Sequence, residues 1–188
     1  DFEPNYVFVH GDTTTAMAGS LAAFYSGAKV FHVEAGLRTH NKLSPFPEEI
    51  NRQITGRVCD FHFAPTLTSK NNLLAENIQD NSILVTGNTV IDALLESVER
   101  VNQVPSELIN KFSQTIGDKE MILVTGHRRE NHGDGFIRIC EALKVIALDN
   151  SERLILYPVH LNPKVQEPVK RILGDLPNVM LVDPLAYP

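Results

Sequence analysis

The sequence predicts an α/β protein with parallel sheets, and two observations support this fold class. Short apolar or β-branched runs alternate with amphipathic stretches of helical length along the 188 residues. The hydrophobic fraction of 43% is normal for a chain that buries a core. Because strands that alternate with helices form parallel βαβ units, we expect the sheets to be covered on both faces.

The elements are predicted in strict alternation, with a strand first. The strands are expected at Tyr6–His10, Lys29–Val33, Phe61–Ala64, Ser82–Thr86, Met121–Thr125, Leu154–Val159 and Val179–Val182. The helices are expected at Thr13–Tyr25, Pro47–Val58, Leu67–Asn77, Val90–Val101, Gly135–Ala147 and Pro163–Leu173.

One stretch interrupts the alternation and indicates a domain boundary. Residues 102–120 contain Pro105, several polar residues and Gly117, and no strand or helix is predicted there. We therefore predict two α/β domains, with the junction between Gly87 and this stretch. Residues 1–87 form part of the first domain and 88–188 the beginning of the second, with the helix Val90–Val101 bridging them.

Composition excludes several classes of function. The net charge of -6 gives no general attraction to nucleic acid or anionic lipid. Cys59 and Cys140 lie far apart, so neither a disulfide framework nor a zinc site is expected, which fits a reducing cytoplasm. No apolar run approaches the roughly 20 residues that span a bilayer. Strand-like sequence near both ends indicates the middle of a longer protein.

Polar residues follow four of the predicted strands, where parallel α/β sheets bind ligands. These segments are Gly11–Thr15, Glu34–Arg38, Gly126–Asn131 and His160–Asn162. Each has a structural alternative. Asp12 is equally well explained as a helix N-cap. For Glu48 and Glu49, after Pro47, a favourable interaction with the helix dipole is the preferred local explanation.

The histidines and arginines leave similar alternatives open. The run His127–Arg129 is either a solvated basic loop or an anion site at a helix N-terminus. His160 is locally best explained as a core histidine, and His32 and His62 as structural residues. The motifs GxGxxG, GxxxxGK[ST], HExxH and GxSxG are absent from the sequence. The residues alone thus indicate clustered carboxylates and a phosphate site, but no particular reaction.

Six ordered motifs carry a resemblance that goes further. They are His10–Thr15 (HGDTTT), His32–Arg38 (HVEAGLR), Pro47–Arg52 (PEEINR), Thr86–Leu94 (TGNTVIDAL), Thr125–Asn131 (TGHRREN) and Tyr157–Pro163 (YPVHLNP). Together they resemble the non-hydrolysing UDP-N-acetylglucosamine 2-epimerases. The resemblance implies a fold of the GT-B type, with the active site between two Rossmann-like domains. It implies interconversion of UDP-N-acetylglucosamine and UDP-N-acetylmannosamine, through UDP elimination, a 2-acetamidoglucal intermediate and re-addition of UDP.

The resemblance also implies the roles of individual residues. Asp12, Glu34, Glu48 and His127 match catalytic positions, and substrate-binding positions are matched by Asp12, Glu34, His127, Arg128 and His160. Arg128 and His160 correspond to positions that hold a second, activating UDP-N-acetylglucosamine in some bacterial members. Neither a cofactor nor a metal is expected. The expected ligands are UDP-N-acetylglucosamine and UDP, in a cytoplasmic enzyme that is a homodimer when full length and supplies surface polysaccharide synthesis.

The sequence departs from the family pattern at both ends. The first strand of the family, with its Gly-Thr-Arg-Pro-Glu-like loop, is not matched here, and neither is the distal part of the second domain. Three alternatives remain open at this stage. They are a hydrolysing 2-epimerase, a GT-B glycosyltransferase and a non-enzymatic UDP-sugar sensor in which the carboxylates are helix caps.

Overall fold

A computed structural model describes residues 3–104, 106–126 and 134–185. The chain divides into two compact units, Asp1–Glu96 and Ser97–Pro188. The division falls inside a helix that runs from Thr89 to Gln103. This helix includes the stretch predicted to bridge the domains, and the predicted boundary after residue 87 stays a prediction.

The first unit contains a four-stranded sheet in the order β1-β2-β3-β4, with every neighbouring pair parallel. Its elements are β1 (Tyr6–His10), α1 (Thr14–Tyr25), β2 (Lys29–Val33), α2 (Glu48–Val58), β3 (Phe61–Ala64), α3 (Leu67–Ala75), β4 (Ile83–Val85) and the start of α4 (Thr89–Gln103). A 3₁₀ turn at Asp80–Ser82 precedes β4. The parallel sheet confirms the predicted α/β class.

The two faces of this sheet differ within the described residues. On one face, Val9 and Val30 are buried against α1. On the other face, Phe31 stacks on Phe8 at a ring distance of 5.0 Å, while Tyr6 and Phe8 are exposed among the described residues. Sequential strand order explains the asymmetry, because right-handed crossovers between consecutive neighbours place all their helices on the same side.

The second unit holds a three-stranded parallel sheet in the order β5-β6-β7. Its elements after α4 are α5 (Glu107–Ile116), β5 (Glu120–Leu123), α6 (Asp134–Asp149), β6 (Arg153–Pro158), α7 (Pro163–Leu173) and β7 (Val179–Val182). The core forms where α6 and α7 cover β6, and it includes Cys140, Ile155 and Val169. Among the described residues, no helix has the length and apolar character needed to cross a membrane.

Helix α5 was not predicted, because its stretch was interpreted as a break in the alternation. Ser106 caps its first turn by accepting a hydrogen bond from the Ile109 amide at 3.3 Å. Gly117 ends it with a φ of 57°, a left-handed conformation that favours glycine. Gly117, taken as a sign of a loop, thus marks the end of a short helix.

Candidate active site

The predicted carboxylates lie at one edge of the sheet, beside the carboxyl ends of β1 and β2. His10 pairs with Val33 in the parallel register, so Asp12 and Glu34 both follow strands that end side by side. Helix α2 connects β2 to the parallel strand β3, and it therefore begins at this same edge with Glu48. We call Asp12, Glu34 and Glu48, with the side chains that contact them, the polar edge.

The turn after β1 is held by β2. Gly11 has a φ of 69° and donates its amide to the Val33 carbonyl at 3.0 Å. The ring of His32 lies 2.8 Å from the Gly11 carbonyl oxygen through Nε2, which must carry the proton to donate to that acceptor. Gly11, immediately before Asp12, is thus held through both its amide and its carbonyl.

Asp12 does not cap α1. The cap is Thr13, whose hydroxyl oxygen accepts a hydrogen bond from the Ala16 amide at 3.1 Å. The Asp12 carboxylate instead pairs with Arg52, with 2.7 Å between Oδ2 and Nη2. Its carbonyl accepts a hydrogen bond from the side-chain amide of Asn51 at 2.9 Å. Two consecutive residues of α2 therefore hold Asp12 at both ends.

Glu34 stands in a strained backbone conformation, with a φ of 67°. Its Oε2 lies 3.3 Å from Nε2 of His10, and the glutamate side chain is 31% exposed. The same oxygen lies 3.5 Å from the point where a Cβ on Gly11 would stand. Glu34 is therefore packed against the turn that carries Asp12, and it still reaches solvent.

Glu48 and Glu49 are neighbours on the first turn of α2, but their surroundings differ. Glu49 is fully buried and accepts hydrogen bonds from the amides of Thr39 and His40, at 3.1 and 3.2 Å. Glu48 is half-buried, and no hydrogen bond or ion pair reaches its carboxylate within the described part of the chain. The dipole interpretation does not explain the burial of Glu49, whose partners lie outside the helix terminus.

The protonation state of Glu49 follows from opposing effects. Burial alone would raise its pKa, but the Thr39 amide, the side-chain amide of Gln53 at 2.9 Å and the charge of Arg52 together lower it below the ordinary value. Glu49 is therefore an anion at neutral pH, held inside the protein.

His32 and His62 lie side by side in the interior of the sheet, with ring centroids 6.5 Å apart. Burial lowers the pKa of each to about 4, so both are neutral at pH 7. Arg38 lies close enough to lower both values further, and its guanidinium forms a two-point ion pair with Glu76 at 2.6 and 2.8 Å. Arg38 therefore stabilises the segment after Glu34, although its position after a strand made it a candidate site residue.

The second unit places His160 differently from the local expectation. It follows β6 and is exposed, so the interpretation as a core histidine is wrong. Its Nδ1 accepts a hydrogen bond from the Asn162 amide at 3.1 Å, just before α7 begins. The Tyr157 hydroxyl donates to the Gly126 carbonyl at 2.7 Å. His127 and Arg128 lie outside the described residues.

Sequence reasoning missed the supporting residues of the polar edge. Asn51 and Arg52 stand in the quoted PEEINR motif but received no role, and His10 ends a strand that was interpreted only as structure. The spacing of Glu49 and Arg52, three residues apart on a helix, was a usable sign of an ion pair. Among the described residues, no group of histidine, cysteine, aspartate or glutamate side chains is arranged to hold a metal ion.

Comparison with known proteins gives a consistent result. The family model for UDP-N-acetylglucosamine 2-epimerase matches residues 1–188. The chain is 55% identical to the UDP-N-acetylglucosamine 2-epimerase of Escherichia coli strain K12, over all of this chain and 50% of that protein. It is 53% identical to the enzyme of the same name from Campylobacter jejuni, again over 100% and 50%. The chain thus spans about half the length of these relatives.

Solved structures show the same likeness. The crystal structure of the Neisseria meningitidis UDP-GlcNAc 2-epimerase bound to UDP-GlcNAc matches with a TM-score of 0.92 and 46% identity, over 100% of this chain and 51% of that one. The Methanocaldococcus jannaschii enzyme in complex with UDP-GlcNAc and UDP matches with a TM-score of 0.76 and 33% identity, over 98% and 51%. These neighbours are GT-B epimerases, in agreement with the predicted fold type.

Proposed function

The chain belongs to the UDP-N-acetylglucosamine 2-epimerase family, and from this premise we propose that the full-length protein interconverts UDP-N-acetylglucosamine and UDP-N-acetylmannosamine. The observation that carries the proposal is the polar edge. Asp12, Glu34 and Glu48 come from separate segments of the sequence and gather where β1 and β2 end.

The reaction inverts C2 by elimination and re-addition. A carboxylate removes the C2 proton, the electrons of that bond form the C1–C2 double bond, and the C1–oxygen bond breaks with its electrons leaving on UDP. UDP then attacks C1 while a proton returns to the opposite face of C2. Two carboxyl groups are required because the proton leaves and arrives on different faces. Partly solvated Glu34 and Glu48 suit these two transfers, with the acid and base roles left open.

The departing diphosphate gathers negative charge, which cationic side chains can offset. We assign this role to His127, with Arg128 and His160 at the nucleotide-sugar site. The full-length protein is proposed to be a cytoplasmic homodimer whose product enters surface polysaccharide synthesis. Elimination and re-addition leave the oxidation state of the sugar unchanged, so the proposed reaction consumes no external oxidant or reductant.

The test is solvent isotope exchange at C2. The full-length protein is incubated with UDP-N-acetylglucosamine in deuterated water, and both the label at C2 and the products are followed by NMR. We expect deuterium at C2 of both nucleotide sugars, together with UDP-N-acetylmannosamine.

Other outcomes identify the alternatives. Accumulation of free N-acetylmannosamine and UDP would make the protein a hydrolysing 2-epimerase. A substrate that stays intact and unlabelled would exclude both epimerases, and turnover only after addition of a sugar acceptor would indicate a glycosyltransferase.

A further inference from the structure

We infer that Glu49 and Arg52 are positioning residues, which together hold the Asp12 carboxylate in one orientation relative to Glu48. The catalytic consequence of this inference rests on the proposed epimerase function. The contacts among Glu49, Arg52 and Asp12 all lie within the first unit and do not depend on that function. We call the chain of contacts Glu49–Arg52–Asp12 the buried relay.

Arg52 is the centre of the buried relay. It is only 8% exposed, and its Nη2 lies 2.7 Å from Oδ2 of Asp12. Its Nε faces Oε2 of Glu49 at 3.7 Å and has no hydrogen-bond partner in the described part of the chain. Because a guanidinium is planar and rigid, contacts on its two sides fix the direction in which it presents Nη2.

Glu49 anchors the other end. Its Oε2 accepts from the Thr39 amide and its Oε1 from the His40 amide and the Gln53 side chain, so both oxygens are fixed by donors. A fully buried anion is costly unless it is paired and hydrogen-bonded. A structural tether for residues 39 and 40 needs only the two amide contacts. The approach of Arg52 instead connects this fixed anion to Asp12.

Helix α2 determines where the buried relay holds Asp12. Asn51 holds the Asp12 carbonyl at 2.9 Å while Arg52 holds the carboxylate, so α2 fixes both ends of this residue. Glu48 stands on the first turn of the same helix. The distance between the Asp12 and Glu48 carboxylates is therefore set by one rigid element, and a loss of either relay residue frees Asp12 without moving Glu48.

Substitutions in the full-length protein test the buried relay. Arg52→Gln and Glu49→Gln are compared with Arg52→Lys and with the control Arg57→Gln, whose arginine lies exposed on α2 and donates to the Glu76 carbonyl at 3.1 Å. We expect Arg52→Gln to lower kcat by roughly 10 to 100-fold, as misplaced catalytic groups do, while UDP affinity changes by less than about threefold. The kcat of Arg52→Lys should lie between those of the wild type and Arg52→Gln, because lysine supplies the charge but not the planar guanidinium with its paired donors.

Coupling with Asp12 provides the decisive comparison. Asp12→Asn combined with Arg52→Gln should be no slower than Asp12→Asn alone, since a residue that acts only through Asp12 has nothing left to position. If the kcat losses of Asp12→Asn and Arg52→Gln multiplied in the double variant, the inference would be overturned. A wild-type kcat in Arg52→Gln would also overturn it.

Amide hydrogen exchange separates this inference from the proposed function and from a merely structural role. Glu49→Gln should speed exchange at residues 39 and 40 and also at residues 11–13, whereas a simple tether would affect only the former. This measurement holds even if the wild-type protein fails to epimerise its substrate. Unchanged protection at residues 11–13 in both Glu49→Gln and Arg52→Lys would refute the buried relay.

Discussion

The polar edge has two regions, and their carboxylates differ in ion pairing and in exposure to solvent. On one side, Asp12 is paired with Arg52 at 2.7 Å, and Arg52 is backed by the buried Glu49. On the other side, Glu34 is 31% exposed beside an exposed His10, and Glu48 has no ion pair within the described residues. One region is locked by charge, and the other is open to solvent.

The difference separates positioning from proton transfer. In the proposed reaction an acid or base must reach the C2 proton, whereas the Asp12 carboxylate is already engaged by the buried Arg52. The Glu34 side chain is 31% exposed and Glu48 is half-buried, so both carboxylates are accessible to a substrate. The comparison therefore favours Glu34 and Glu48 for the proposed proton transfers and Asp12 as an oriented carboxyl group.

The largest expected effect comes from the open region. In the full-length protein, Glu34→Gln and Glu48→Gln should each lower kcat by about 10² to 10⁴-fold, because a positioned proton-transfer group is lost. UDP affinity, measured by calorimetry, should change much less. Glu107→Gln, at an exposed position in α5, is the matched control. Near wild-type turnover in either variant would remove that glutamate from the mechanism.

A second effect concerns the interior behind the locked region. His32 and His62 each have a folded-state pKa of about 4, below the ordinary 6.5. Between these values the unfolded chain binds more protons, so the free energy of unfolding should fall as the pH drops through this window. The loss should reach roughly 2–3 kcal/mol for each of the two histidines by pH ~4.5.

Urea unfolding across that pH range measures this loss. The variant His62→Asn should reduce the pH dependence, because it removes one of the two buried histidines. A wild-type slope in His62→Asn would show that other groups cause the acid sensitivity.

A smaller effect should follow from the backbone beyond Glu34. Gly36 has a φ of 86°, and a Cβ there would clash with the Ser69 carbonyl oxygen. Gly36→Ala should therefore lower the free energy of unfolding by about 1–3 kcal/mol. Gly27→Ala is the matched control, since Gly27 has a φ of 81° but open space around it. An equal loss in both variants would mean that the left-handed backbone, rather than the contact with α3, explains the cost.

The smallest expected effect on stability tests whether Thr13, rather than Asp12, is the N-cap of α1. Thr13→Ala should destabilise the protein by about 1 kcal/mol, the usual cost of losing a helix N-cap. Thr15→Ala, at an exposed position in the first turn of α1, should cost much less. Thermal unfolding of the two variants gives the comparison, and equal losses would contradict the assignment of Thr13.

Much of the fold was predictable because local patterns determine it. The bounds of β1, β2, β3, β7 and α7 agree with the structure residue for residue, since apolar alternation and the proline at the start of α7 mark them directly. Helix α5 was missed because the stretch from 102 to 120 was interpreted as a loop, although Gly117 marks the end of a helix. The sequence did not indicate which face of the first sheet carries the helices, because strand order is not a local property.

The sequence by itself determined which carboxylates lie near one another. Asp12 and Glu34 follow strands and Glu48 opens the next helix, and parallel βαβ geometry brings all three to one edge. Only the tertiary structure decided their partners. Arg52 reaches Asp12 across 40 residues of sequence because α2 packs beside α1. Glu49 turns inward, while its neighbour Glu48 faces a different environment, because adjacent residues on a helix point about 100° apart. This angular difference is why Glu49 is buried and Glu48 is only half-buried.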